Sequence, residues 1–217
     1  MHKSINNLIS IETELKSKLE NYKKIKIIAV SKTFQKEDIL PLLNHGHINY
    51  GENKIQEAIE KWSDIKNDYP NIKLHMIGKL QSNKVKFVIP LFDYIHSLDN
   101  EKLAKKISSE QKKFKKKLKI FIQINIGNED QKNGINPTKL KSFYETCTKK
   151  FNLNIIGLMC LPPIDSNSIE YFKTLKNLAN KFDLKHLSMG MSSDYENAVY
   201  SGSTYLRLGT SIMGPRD

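Results

Sequence analysis

Ile25-Lys26-Ile27-Ile28-Ala29-Val30-Ser31-Lys32-Thr33 is a short apolar run that ends on a serine, a lysine and a threonine. Alternation along an extended chain sets Ile28, Val30 and Lys32 on one face and Ile27 and Ala29 on the other. The segment reads as a buried strand with an ammonium at its carboxyl end. Comparable runs follow at Ile48–Tyr50, Leu74–Ile77, Tyr94–His96, Ile120–Ile126, Leu153–Met159, His186–Ser188 and Tyr205–Leu208, which makes eight.

Amphipathic segments with recognisable boundaries separate these runs. Ile5–Leu19 predicts a helix ahead of the first strand, and Asn44-His45-Gly46 closes the helix behind it. Asp99-Asn100 caps a helix from Glu101. Asn136-Pro137 opens one over Thr138–Lys150, and Asp165-Ser166 starts another that runs to about Lys181. Strand and helix in alternation are the pattern of a parallel sheet with crossover helices. Eight such units in 217 residues predict an α/β fold, a single (β/α)8 barrel with an extra amino-terminal helix. A doubly wound open sheet is the alternative.

Composition narrows the function classes. Apolar residues are 39% and charged residues 27% of the chain, ordinary for a folded protein with a sizeable core. No apolar run approaches the ~18 residues of a membrane span. Met1-His2-Lys3-Ser4-Ile5-Asn6-Asn7 lacks the features of a signal peptide. Cys147 and Cys160 are too few for a disulfide framework and read as reduced thiols in a cytoplasmic protein. The net charge of +12 invites a nucleic-acid reading, but 33 of the 35 basic residues are lysine, with Arg207 and Arg216 the exceptions. Nucleic-acid surfaces draw on arginine's planar fork as well. The run Lys112–Lys119 closes a helix, where cations complement the carbonyl end. A solvated lysine surface is therefore preferred over an RNA-binding one.

In a barrel, chemistry belongs at the carboxyl ends of the strands. Lys32, Gly51-Glu52-Asn53, His75 and Gly78, Ser97, Asn125 and Gly127, Met159, Met189-Gly190-Met191-Ser192, and Gly209-Thr210 all fall at that rim. Three features carry the functional reading. Lys32 at the top of a lumen is expected to be partly desolvated; desolvation favours the neutral form of an amine, and a neutral amine can attack an aldehyde to form a Schiff base. Arg207 alternates with Leu206 and Leu208; if the leucines face the outer helices, it points into the barrel and needs an acceptor partner. The small-residue turns after strands seven and eight offer backbone amides and the hydroxyls of Ser192, Ser193 and Thr210 to an anion. An amine, an arginine and a phosphate cradle on one rim point to pyridoxal 5′-phosphate.

Several stretches carry a family resemblance. Ala29-Val30-Ser31-Lys32-Thr33, Tyr50-Gly51-Glu52-Asn53 with Gln56-Glu57, and His75-Met76-Ile77-Gly78-Lys79-Leu80-Gln81-Ser82-Asn83-Lys84 resemble the pyridoxal phosphate homeostasis protein family. So do Gly157-Leu158-Met159, Ser188-Met189-Gly190-Met191-Ser192 with Asp194, and Arg207-Leu208-Gly209-Thr210. The resemblance runs in order from about Ile25 to Gly214. Tyr50 stands where phenylalanine is usual, and Phe34-Gln35 replaces a proline-containing turn. It implies that residues 1–217 form one barrel domain of the fold type III, alanine racemase kind. It further implies that Lys32 holds the cofactor as a Schiff base, that Ser192, Gly209 and Thr210 hold its phosphate, and that Arg207 meets the pyridine nitrogen. Asn53, His75 and Met159 would line the ring pocket. The implied role is vitamin B6 homeostasis in the cytoplasm without an established reaction, with pyridoxal phosphate enzymes as recipients; a monomer is expected over a dimer. The resemblance implies no metal. An amino-acid racemase is the alternative; the chain stops at Asp217, where racemases continue into a second domain that supplies an opposing base.

Overall fold

The computed structural model describes residues 1–129, 133–163 and 167–215. Among these, the strands are β1 (Lys26–Val30), β2 (Asn49–Glu52), β3 (Lys73–Met76), β4 (Tyr94–Leu98), β5 (Lys119–Ile124), β6 (Asn154–Cys160), β7 (His186–Ser188) and β8 (Tyr205–Leu208). The helices are α1 (Lys3–Lys18), α2 (Lys36–Asn44), α3 (Ile55–Asp68), α4 (Val85–Leu91) and α5 (Glu101–Phe114). They continue with α6 (Leu140–Glu145), α7 (Ser168–Asn180), α8 (Tyr195–Tyr200) and α9 (Thr210–Met213). Each strand pairs in parallel with its sequence neighbour, and β1 also pairs with β8 through Lys26↔Tyr205 to Ala29↔Leu208. That closure makes a barrel and excludes the open sheet.

Local chemistry accounts for the boundaries. Asn100 takes an extended conformation, and its side chain accepts from the Leu103 amide at 2.9 Å, which starts α5. Asn136 does the same for the Thr138 amide at 2.9 Å. The continuous helix expected over Thr138–Lys150 is instead a 3₁₀ turn at Pro137–Lys139, then α6, then a π turn at Thr146–Lys150. The Asp165-Ser166 start lies outside the described residues; α7 begins at Ser168 with the Asn167 side chain accepting from Ile169 N. The lysine run spans more than a helix end. Lys112 and Lys113 lie in the last turn of α5, Lys115 is left-handed at φ 49°, and Lys119 already belongs to β5.

Two apolar layers result from the period-two alternation of the strands. The outer layer, between sheet and helices, takes Ile27, Ala29, Leu206 and Leu208 together with helix residues such as Trp62 and Phe172. The inner layer fills the lumen with Ile28, Tyr94, Phe121, Met159 and Tyr205. One close approach depends on glycine: a Cβ on Gly157 would sit 2.0 Å from the His186 carbonyl oxygen of β7. Backbone cannot move aside as a flexible side chain does. Gly157→Ala is expected to lower the unfolding free energy by about 3 kcal/mol, at the upper end of overpacking costs. An unchanged denaturant midpoint would contradict the β6–β7 packing.

Candidate functional site

The carboxyl ends of β1, β2, β3, β6, β7 and β8 surround a cavity of about 600 Å³. Lys32, Asn53, Ser192, Arg207, Gly209 and Thr210 all line it, along with Val30, Ile77, Gly78, Leu161, Met191 and Ser193. Six residues read from sequence as site candidates therefore meet in one place. His75 and Met159 do not line it. His75 is fully buried and stacks on Tyr94 with ring centroids 4.2 Å apart. Met159 packs with Ile28, Tyr94, Phe121 and Tyr205 in the lumen. Both face inward, but the rim positions on their strands are two residues further on, at Ile77 and Leu161. Expectation and structure differ here by one pleat.

Lys32 reaches the rim on a loop held from behind. Ser31 Oγ donates to Glu52 Oε1 at 2.8 Å, and Lys61 Nζ donates to the Ser31 carbonyl at 2.7 Å. Thr33, left-handed at φ 70°, gives its amide proton to Glu57 Oε1. Lys61 bridges Glu52 at 3.1 Å and Glu57 at 3.2 Å, and Trp62 Nε1 donates to Glu52 at 2.9 Å. The peptide on either side of Lys32 is thus tied to one buried polar cluster between β2 and α3.

Arg207, 4% exposed, donates to Ser188 Oγ at 2.6 Å and to the Cys160 carbonyl at 2.9 Å. Neither acceptor is an anion. Burial lowers its pKa, with Cys160 and Asp194 acting in the opposite sense. Burial also pushes the Cys160 thiol up to about 12, so it is no nucleophile. At the same cavity, Ser192 Oγ accepts from the amides of Gly209 and Ser211, each at 3.2 Å, and lies 3.0 Å from Ser211 Oγ. Ser192, Thr210 and Ser211 thus bring three hydroxyls to the start of α9, where the Gly209 and Ser211 amides are taken up by Ser192 Oγ.

Asn53 comes close because Gly78 has no side chain: a Cβ there would lie 2.4 Å from the Asn53 carbonyl. The Asn53 Oδ1 atom is buried without a hydrogen-bond partner. Such an orphan at a cavity wall is a group waiting for a ligand donor or water. Sequence reading missed Ile77 and Leu161, although counting by two from His75 and Met159 points to both. Among the described residues, no cluster of three or more His, Cys, Asp or Glu could hold a metal ion. Nor is any described helix long and apolar enough to cross a membrane.

Known proteins share this architecture. The family model described as alanine racemase, N-terminal domain, matches residues 8–217. A pyridoxal phosphate homeostasis protein of Pasteurella multocida is 35% identical over 225 residues, covering 97% of each chain. The structure of PipY from Synechococcus elongatus without pyridoxal phosphate superposes with a TM-score of 0.88 at 30% identity, covering 98% of this chain and 100% of that one. Its structure with pyridoxal phosphate bound gives 0.86, also at 30% identity, over 97% and 100%. On the length of the family match and the identity to a relative of nearly equal extent, the chain belongs to the alanine racemase N-terminal domain family, and within it to the pyridoxal phosphate homeostasis proteins.

Proposed function

We propose that this protein binds pyridoxal 5′-phosphate in the rim cavity and serves vitamin B6 homeostasis, holding the cofactor for release rather than running a reaction on it. The observation that carries the reading is the meeting of Lys32, Arg207 and the Ser192–Gly209–Thr210 cradle around one cavity. The residues fit the group. The hydroxyls of Ser192 and Thr210 offer neutral donors to a phosphate, Lys32 offers a primary amine, and the orphaned Asn53 Oδ1 offers an acceptor at the wall. When bound, the cofactor supplies an aldehyde that condenses reversibly with an amine.

Each residue has a separate task. Lys32 supplies that amine. Ser192, Gly209 and Thr210 hold the phosphate, and Asn53 orients the ring. Arg207 meets the pyridine nitrogen as a donor that does not surrender its proton, which keeps that nitrogen unprotonated. An unprotonated ring is a weak electron sink, which suits storage better than carbanion chemistry. The setting we propose is the cytoplasm, where the buried thiols Cys147 and Cys160 stay reduced. Recipients are pyridoxal phosphate enzymes.

The reading is tested by adding pyridoxal phosphate to the purified protein and following visible absorbance. Yellow protein with one cofactor per chain is expected; colourless protein that takes none up would overturn it. Enzyme-like inversion of alanine, serine or lysine would overturn the storage role in favour of a racemase. The cradle has its own test. Ser192→Ala and Thr210→Ala should each weaken retention by roughly 1.5–3 kcal/mol, the value of a hydrogen bond to a charged group. The double variant should lose more, and unchanged affinity there would put the phosphate elsewhere.

A further inference from the structure

A file of hydrogen-bonded side chains runs through the barrel lumen from the cavity floor. Arg207 Nη1 donates to Ser188 Oγ at 2.6 Å, and Ser188 Oγ lies 2.8 Å from His96 Nδ1. His96 Nε2 lies 3.0 Å from His75 Nδ1, and His75 Nε2 lies 3.2 Å from Asn49 Oδ1. Its members come from β8, β7, β4, β3 and β2, so the file crosses the interior instead of following one strand. Arg207, Ser188, His96 and His75 are all buried.

Chemistry at one end sets the direction of the whole file. A guanidinium only donates, so Ser188 Oγ accepts from Arg207 and its single proton goes to His96 Nδ1. His96 then accepts at Nδ1, which leaves its ring proton on Nε2, donated to His75 Nδ1. The same step at His75 leaves its proton on Nε2, donated to Asn49 Oδ1. A flipped tautomer at either ring would set two donors or two acceptors face to face in a buried place, and each such fault costs an unmade hydrogen bond. This pattern of donors and acceptors requires both rings to be neutral. Burial holds His75 well below the usual histidine range, helped by Lys26, His47, Lys119 and Lys66. Burial does the same for His96, helped by His75 and Arg207. The other faces of the two rings meet Tyr94, Phe121 and Tyr205.

We propose that Ser188, His96 and His75 are positioning residues that hold the Arg207 guanidinium in one orientation at the cavity floor. Each dipole in the file turns its acceptor end toward the cation, in place of a carboxylate partner, and aligned bonds of this kind reinforce one another. Two of the five guanidinium donors are engaged, by Ser188 and by the Cys160 carbonyl. Arg207 also lines the cavity. Only its bearing on a ligand there rests on the pyridoxal phosphate reading, because the file's own bonds all join protein side chains.

Two readouts test it, and the first needs no cofactor. In ¹⁵N-labelled protein, imidazole nitrogen shifts should report both His75 and His96 as neutral Nε2–H tautomers from pH 5 to pH 9, values flanking the usual histidine range. An Nδ1–H tautomer or a charged ring at either position would overturn the proposal. The second readout compares Ser188→Ala with Ser188→Thr, which keeps the hydroxyl. The alanine variant should release the His96 tautomer and shift the absorbance maximum of bound pyridoxal phosphate, while the threonine variant restores both. A wild-type protein that binds no pyridoxal phosphate would defeat the cofactor reading alone, and the tautomers would still decide the file. A wild type that binds it, with Ser188→Ala and His96→Ala both leaving the spectrum unchanged, would show that the file does not position Arg207.

Discussion

In Lys32→Ala, the pyridoxyl label that borohydride fixes to this protein is expected to fall to the background of the remaining lysines. In the wild type it is expected on the peptide that carries Lys32. The chain is a demanding place for such a claim, because it contains 33 lysines, and exposed amines near their ordinary pKa of about 10.4 pick up aldehyde only weakly at neutral pH. What singles out Lys32 is position. β1 ends at Val30, and the next lumen-facing residue reaches into a cavity that also holds Arg207 and Thr210. The measurement is peptide mapping after reduction. A label spread over many lysines, or undiminished in the variant, would refute the assignment of the amine.

Lys61→Met should be among the most destabilising substitutions outside the core. Glu52 is fully buried, and Lys61 is nearly so. Removing the ammonium leaves a buried carboxylate whose remaining donors are Ser31 Oγ and Trp62 Nε1. Breaking one side of such a pair costs about 3–5 kcal/mol, a fall in Tm on the order of 10 °C for a chain of this size. Adding Glu52→Gln should recover a large part of the loss, since the uncompensated charge goes with it. Because Lys61 also holds the Ser31 carbonyl, the single variant should label more slowly at residue 32 even where it is folded. A single variant as stable as the wild type would mean that the cluster is solvated and does not fix the Lys32 loop.

Much of this was legible in the sequence, for a definite reason. The alternation of Leu206, Arg207 and Leu208 assigns the arginine to the lumen without any knowledge of the neighbouring strands, and the same holds for Ile28, Val30 and Lys32. Asn100 and Asn136 announce their helices by side-chain chemistry that acts over three residues. Height within the barrel is another matter. It depends on strand stagger around a closed sheet, a property of all eight strands together, so His75 and Met159 could be assigned to the lumen but not placed below the rim. The file from Arg207 to Asn49 is less legible still. Its links join residues 19, 92, 21 and 26 positions apart, and no local spacing announces them.

The pairing of β1 with β8 bears on how the protein is made. Lys26 and Tyr205 are 179 positions apart, and at about 5–20 residues per second the ribosome needs roughly ten to forty seconds to deliver the second after the first. Through that interval β1 has one open edge, and Lys32 stands far from Arg207 and Thr210. Pairing of such long range is slow to pay back its loop entropy. On the proposed reading, half-made chains therefore offer the amine without the cradle, and capture of the ligand is expected only once β8 has closed on β1.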